Sequence, residues 1–172
     1  YKAIQAASQN KGGETYQLQS QAIQTNRFIS NYRTSFAQTN LAIANNIIQQ
    51  AQQQEQQLTE EQRQQVSQLI NQAVNEAKAA VALEPRRASN WQNLAQIYRQ
   101  LVNLAENAEQ WTLSSFQQAI ALDSLNPQLR VSYGGFLFGL GRYEEAARQF
   151  EIAANLKPDY ANAWYNWAHA LK

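Results

Sequence analysis

Residues 116–127, FQQAIALDSLNP, and residues 150–161, FEIAANLKPDYA, repeat one pattern at a shift of 34 residues. The shift places a phenylalanine, an alanine and a leucine on identical partners: Phe116 on Phe150, Ala119 on Ala153, and Leu122 on Leu156. The stretch AKAAVALEP, residues 77–85, has the same type of ending. Apolar residues in these stretches recur at spacings of three and four, which is the α-helical period. The sequence therefore predicts repeated helical units.

A second helical pattern precedes these endings. It reads WQNLAQIY at residues 91–98, YGGFL at 133–137 and WYNWAHAL at 164–171. Small residues in it mark places where helix backbones approach closely, and large ones fill the space between helices. The residue before a proline avoids the helical region, so Pro85 and Pro158 end the second helices. From Ala88 to Lys172 this pattern resembles the tetratricopeptide repeat (TPR) family.

The resemblance implies an all-α fold, an α-solenoid that forms a TPR-like superhelix of antiparallel helix pairs, A and B. We expect one TPR-like domain over 1–172, in five parts. These are a degenerate unit at 1–29, an expanded unit at 30–87, a long unit at 88–126, a complete unit at 127–160 and helix A of a truncated unit at 161–172. In the long unit the surplus residues fall near 101–111, where helix A is expected to run on.

The expanded unit contains a Gln-rich insertion at about 50–65. One interpretation is a disordered low-complexity loop. The preferred one is a long helical hairpin, because apolar residues on both helices can seal its seam: Ile43, Ile47, Ala51 and Leu58 against Val66, Leu69 and Ile70. Thr59 and Gln62 form a capping-box signal that predicts the start of the second helix.

Composition excludes several classes of function. Fourteen basic residues against 13 acidic residues give a net charge of +1, which argues against nucleic acid as a partner. There is no cysteine, and His169 is the only histidine, so we expect no catalytic residues, no metal site and no cofactor. No segment is apolar enough for direct membrane insertion. The chain begins with Tyr1 and lacks methionine, so we expect it to be a piece of a longer protein.

The family resemblance implies that a ligand binds on the concave face, which the A helices line. The side chains mapped to a peptide-binding groove there are Gln92, Asn93, Gln96, Arg99, Gln128, Ser132, Phe138, Asn162, Tyr165, Asn166 and His169. Amide side chains both donate and accept hydrogen bonds, so they can pair with the backbone of an extended peptide. Asn93 and Asn166 are either an asparagine ladder for such a backbone or a common residue choice of the family.

We therefore expect a non-catalytic protein–protein interaction module that binds an extended peptide or partner loop in the groove. The alternative is a structural or assembly segment of a larger, membrane-anchored bacterial protein of cell-envelope polysaccharide synthesis. It rests on the stretches AVALEP and NLAQIYRQL, which resemble the TPR tail of bacterial O-antigen-ligase-like membrane proteins. That resemblance favours the extracytoplasmic face of a bacterial envelope, while a cytoplasmic location stays open.

The aromatic stretch at 161–172 raises a separate question of partners. We expect Trp164, Trp167, Ala168 and Leu171 to face back onto the preceding unit, and Tyr165, Asn166 and His169 to face the groove. The helix B of this unit is not in the sequence, so one flank of helix A lacks its usual cover. Two explanations stay open: a truncated repeat array, or a homodimer in which a second copy covers the open C-terminal helix.

Overall fold

A computed structural model describes residues 2–9, 11–102 and 104–172. Within these ranges the chain is helical and contains no strand. Its helices are α1 (Lys2–Ser8), α2 (Gly12–Thr25), α3 (Ser30–Gln53), α4 (Glu60–Leu83), α5 (Ala88–Gln100), α6 (Ala108–Leu122), α7 (Pro127–Gly139), α8 (Tyr143–Leu156) and α9 (Ala161–Ala170). The predicted ranges 1–29 and 88–126 include Tyr1, Asn10 and Asn103, which lie outside the described residues. Contacts divide the chain into unit 1 (Tyr1–Pro85) and unit 2 (Arg86–Lys172).

Unit 1 is built on a long hairpin of α3 and α4, so most of the Gln-rich insertion is helical. The hairpin was predicted, and the alternative of a disordered loop is wrong. Small residues form the seam: Ala37, Ala44 and Ala51 of α3, and Ala73, Ala77 and Ala80 of α4, are buried. Five of the predicted seam residues, Ile43, Ile47, Val66, Leu69 and Ile70, also belong to the hairpin's apolar cluster. An ion pair between Arg33 and Glu76 spans the hairpin over 2.6 Å.

The tip of the hairpin is closed by standard helix-terminating geometry. Glu55 has a left-handed φ of 54°. The Gln56 N–H donates to the Ala51 carbonyl over 2.9 Å, and the Glu55 N–H donates to the Gln52 carbonyl over 3.1 Å. This pair of bonds is a Schellman motif, which satisfies carbonyls at the end of α3.

The predicted capping box opens α4. The Gln62 N–H donates to the Thr59 hydroxyl over 3.2 Å, and the Thr59 N–H donates to the Gln62 side chain over 2.9 Å. These bonds satisfy two backbone donors that would otherwise lack partners at a helix N-terminus.

Unit 2 consists of α5 to α9, packed successively, with a large apolar cluster to which all five helices contribute and a smaller one between α8 and α9. Phe116 is fully buried in the large cluster, with ring centroids 5.6 Å from Tyr133 and 6.2 Å from Phe136. Gly134 lies directly against Phe150, since a Cβ built there would meet the Phe150 Cε1 atom at 2.7 Å. The position predicted to be small is therefore small because a buried ring occupies the adjacent space.

The connection between α5 and α6 corrects one expectation. Helix A of the long unit was expected to run on near 101–111, but α5 ends at Gln100 and the described residues up to Asn107 form turns. Asn107 has a left-handed φ of 60° immediately before α6 begins at Ala108. The surplus residues therefore lengthen the connection rather than the helix. The division into repeat units remains our proposal.

Helix α9 corrects a second expectation, because Trp164, Ala168 and Leu171 do not face back onto the preceding helices. Leu171 is 69% exposed and Trp164 is 44% exposed, whereas Ala163 and Ala170 are buried and Trp167 packs on the core. The shift of 34 explains the error. Ala168 and Leu171 correspond to Gly134 and Leu137, and Gly134 faces the Phe150 ring of α8 rather than the preceding helices. Helix A has two apolar faces, and the prediction assigned these residues to the wrong one.

Candidate functional site

Successive A-type helices α7 and α9 position a pocket in unit 2. The pocket has a volume of about 270 Å³ and is lined by Gly135, Phe138, Phe150, Tyr165, Asn166 and His169. Four of these residues belong to the predicted groove: Phe138, Tyr165, Asn166 and His169. Phe138 lies one turn after Gly135 on α7, and His169 lies one turn after Tyr165 on α9, so each helix presents one edge to the pocket.

The pocket walls are aromatic and partly pre-arranged. The Tyr165 and His169 rings lie 4.7 Å apart between centroids, and Phe138 meets Tyr143 of α8 edge to face at 5.0 Å. Tyr165 is 65% exposed and Phe138 is 37% exposed, so both rings are accessible from solvent. Aromatic pairs of this geometry hold each other in place and add about 0.5–1.5 kcal/mol to area burial. The rings can therefore receive an apolar group with little rearrangement.

Phe150 is the functional candidate that sequence reasoning missed. The repeat pattern assigned it to the core, and it is indeed only 1% exposed. It is nonetheless among the residues that line the pocket. The sequence carried no separate signal for this second role, because the repeat pattern already accounted for Phe150 as a core residue.

The other predicted residues of α7 and α9, Gln128, Ser132 and Asn162, lie outside the pocket lining and take part in local hydrogen bonds, one of which involves Asn166 of the pocket. Asn166 donates to the Asn162 carbonyl over 2.7 Å and to the Asn162 side chain over 2.6 Å. The Ser132 hydroxyl donates to the Gln128 carbonyl over 2.9 Å. These bonds hold the side chains along their own helices.

The predicted residues of α5 contribute nothing to the pocket lining. Gln96 and Arg99 are exposed and Gln92 is half-buried. Asn93 is buried, with 4% of its surface exposed. The structure thus brings four of the eleven predicted residues together and leaves the others dispersed over three helices.

The electrostatics of the pocket are simple. Within the described residues, its lining includes no carboxylate, ammonium or guanidinium group. The nearest perturbed pair is at the start of α8, where Arg142 Nε donates to Glu145 Oε1 and Nη2 to Oε2, each over 2.7 Å. That hydrogen bonding lowers the pKa of the Glu145 carboxyl and raises the pKa of Arg142. The pocket itself therefore favours a neutral group.

The described ranges contain neither a candidate metal site nor a candidate membrane span. No cluster of three or more His, Cys, Asp or Glu side chains is placed to hold a metal ion. Likewise, no helix in these ranges has both the length and the apolar character required to cross a bilayer.

Solved structures share this arrangement of helices. MamA superposes with a TM-score of 0.70 at 14% identity, covering 98% of this chain and 81% of its own. TTC0263, a thermophilic TPR protein in Thermus thermophilus, superposes with a TM-score of 0.73 at 18% identity, covering 98% of this chain and 77% of its own. YrrB, a TPR protein with an unusual peptide-binding site, superposes with a TM-score of 0.60 at 17% identity, covering 98% of this chain and 72% of its own.

The fold is that of a TPR-like α-solenoid. At these identities the likeness establishes the fold alone. No protein-family model matches the sequence, and no curated protein matches it. The resemblance to O-antigen-ligase-like proteins is not among the relationships found, whereas the TPR-like fold inferred from residues 88–172 is confirmed.

Proposed function

We propose that this chain is a non-catalytic protein–protein interaction module that binds an extended peptide or partner loop in unit 2. The observation that carries the proposal is the pocket between α7 and α9, where Phe138, Tyr165, Asn166 and His169 converge. A volume of about 270 Å³ is below the usual size of a small-molecule site. It suits one large side chain of a polypeptide.

The lining specifies the chemistry of that anchoring side chain. Rings of Phe138, Phe150 and Tyr165 offer dispersion contacts, and the described lining includes no carboxylate, ammonium or guanidinium group to pair with an acidic or basic side chain. We therefore propose an aliphatic or aromatic anchor. Asn166 and His169 at the rim can hydrogen-bond to the backbone on either side of the anchor. YrrB, which shares the fold, is described as having a peptide-binding site, and this supports a peptide as ligand.

The test begins with peptides selected from a random display library against the whole chain. Their affinities are then measured by fluorescence polarisation. Anchoring residues at the centre of an interface typically contribute 1–2 kcal/mol or more, so Tyr165→Ala should weaken binding roughly tenfold. The matched control is Leu125→Ala, because Leu125 is 74% exposed and lies outside the pocket. Equal affinities of the two variants would exclude the pocket as the binding site.

A second variant separates the pocket from the proposed asparagine ladder. Asn166→Ala should weaken binding, since it removes a rim amide. Asn93→Ala should have no direct effect on a ligand held at the pocket, because Asn93 does not line it. If only Asn93→Ala weakens the selected peptides, the ligand lies elsewhere on unit 2.

The alternative, an assembly segment of a membrane-anchored protein of envelope polysaccharide synthesis, rests on sequence style alone. It predicts a parent reading frame with several membrane-spanning segments. A full-length reading frame without membrane-spanning segments would exclude this alternative, and the interaction module would then be the only proposal left.

A further inference from the structure

Unit 1 contains a larger cleft that sequence reasoning did not assign. Its volume is about 870 Å³, and it lies between α2 and the hairpin of α3 and α4. Its lining comes from the first turns of α2, from α3 between Thr39 and Ile47, and from α4 between Gln65 and Gln72. The cleft is contained within unit 1, so it is independent of the pocket proposed above.

The cleft exists because the expanded hairpin is longer than the helix packed on it. Helices α3 and α4 have 24 residues each, or about 36 Å, whereas α2 has 14 residues, or about 21 Å. Tyr16, near the start of α2, fixes that end of the helix. Its ring lies 5.0 Å from the Phe36 ring, and its hydroxyl donates to Gln72 Oε1 over 3.0 Å. The face of the hairpin continues past the end of α2 at Gly12.

The floor of the cleft is apolar and its walls are amides. Ile43 and Ile47 of α3 are half-buried, and Leu69 of α4 is buried beside them. The wall amides are Gln17, Asn46, Gln65, Gln68 and Gln72. The single charged group of the lining is Lys11, whose ammonium lies 3.7 Å from the Glu14 carboxylate in the first turn of α2.

We infer that this cleft binds an uncharged polypeptide segment in an extended conformation. Such a segment exposes backbone N–H and C=O groups along both edges, and amides on both walls can satisfy donors and acceptors alike. A helical ligand satisfies its own backbone and would make little use of those amides. The nearly uncharged lining offers no partner to a strongly acidic or basic ligand.

The spacing of the two isoleucines on the floor of the cleft also matches the side-chain spacing of an extended chain. Ile43 and Ile47 lie four residues apart on a helix, which is about 6 Å along its axis. Side chains two residues apart on an extended strand point the same way and lie about 6.6 Å apart. Alternate aliphatic side chains of the ligand therefore contact Ile43 and Ile47 in turn, with Leu69 closing the floor.

The probe is a blocked, uncharged heptapeptide, GVSLSVG, which carries aliphatic residues at alternate positions. The control peptide GVSSLVG has the same composition but no two aliphatic residues spaced by two. Binding is followed by methyl NMR shifts of the whole chain at peptide concentrations up to the millimolar range. GVSLSVG should shift the methyl signals of Ile43, Ile47 and Leu69, and GVSSLVG should bind at least roughly fivefold more weakly. No shifts, or equal affinities for the two peptides, would overturn the inference.

Paired variants locate the site. Ile47 and Ile48 pack against the same apolar cluster, but only Ile47 lines the cleft. Ile47→Ala should weaken GVSLSVG binding, and Ile48→Ala should leave it unchanged. If Ile47→Ala does not fold, the exposed pair Gln68→Ala and Gln64→Ala serves instead, since only Gln68 lines the cleft. Equal effects within the pair that is used contradict the site.

A last control separates the two binding proposals. Tyr165→Ala disables the pocket of unit 2 and should leave GVSLSVG binding unchanged. Loss of probe binding in this variant would place the probe in unit 2 and overturn the assignment to the cleft, while it would support peptide binding by unit 2.

Discussion

Replacement of Gly134 by alanine tests the packing that joins α7 to α8. A Cβ at this position would lie 2.7 Å, 2.9 Å and 3.1 Å from the Cε1, Cδ1 and Cζ atoms of Phe150. The Phe150 ring is 1% exposed and cannot swing into solvent. Alanine raises helix propensity by about 1 kcal/mol, but overpacking of a buried ring costs about 1–3 kcal/mol. We expect Gly134→Ala to lower the free energy of unfolding by about 1 kcal/mol.

Gly135→Ala is the matched control, since the two glycines are adjacent on one helix. No heavy atom lies within 4 Å of a Cβ at Gly135. This variant should therefore gain the helix propensity without the clash and raise the free energy of unfolding by about 1 kcal/mol. Urea unfolding followed by tryptophan fluorescence measures unit 2 selectively. All the tryptophans of the chain, Trp91, Trp111, Trp164 and Trp167, lie in that unit.

A double variant identifies the cause of the loss. In a Phe150→Leu background the atoms at the Cε1 and Cζ positions are absent, so Gly134→Ala should become neutral or stabilising. The coupling energy between the two sites should be at least about 1 kcal/mol. The reasoning is refuted if Gly134→Ala and Gly135→Ala stabilise unit 2 equally, because Phe150 would then not occupy the space beside Gly134.

Four further outcomes follow from particular contacts. Glu55→Gly should stabilise the hairpin by about 1 kcal/mol in thermal unfolding, because glycine adopts the left-handed φ of 54° without strain. Thr59→Ala should destabilise α4 by about 1 kcal/mol through loss of its N-cap, seen as faster amide hydrogen exchange in the first turn. Arg142→Ala should raise the pKa of Glu145 measured by carboxyl NMR, since the guanidinium hydrogen bond lowers it. That pair stabilises the fold above the pKa of glutamate in the unfolded chain, and its contribution is lost as pH falls through the folded pKa. If a second copy covers the exposed face of α9, the unsubstituted chain should show a mass that increases with concentration, and Leu171→Lys should abolish that increase. An unsubstituted chain that is monomeric at every concentration contradicts the homodimer.

The fold was predictable because its decisive contacts are repeated in the sequence. Phe116 and Phe150, one repeat apart, are both fully buried in the core of unit 2. The start of α4 was predictable from one local signal, since the hydrogen bonds between Thr59 and Gln62 require only four consecutive residues. Both signals depend on neighbours in sequence or on strict periodicity. Neither depends on the angle at which two helices cross.

The site was less predictable because a pocket depends on the angle at which its helices cross and on which side chains are absent from the space between them. Position within the repeat assigned Tyr165, His169 and Asn93 alike to one groove, but it could not show that Tyr165 and His169 are exposed whereas Asn93 is buried. Trp164 and Leu171 were assigned to the wrong face of α9, since both faces of an A helix are apolar and periodicity does not distinguish them. Phe150 was overlooked at the pocket because its role in the core already accounted for it.

The two binding proposals differ in their relation to the repeat. Stacked helical repeats form extended concave surfaces between successive units, and a ligand can bind there without any departure from the period. The unit 2 pocket is of this type, since it is lined by the successive A-type helices α7 and α9 together with Phe150 of α8. The unit 1 cleft instead opens where the expanded hairpin extends past α2. We therefore propose that unit 2 uses a surface formed by the repeat itself, whereas unit 1 uses a surface formed by the expansion of one repeat.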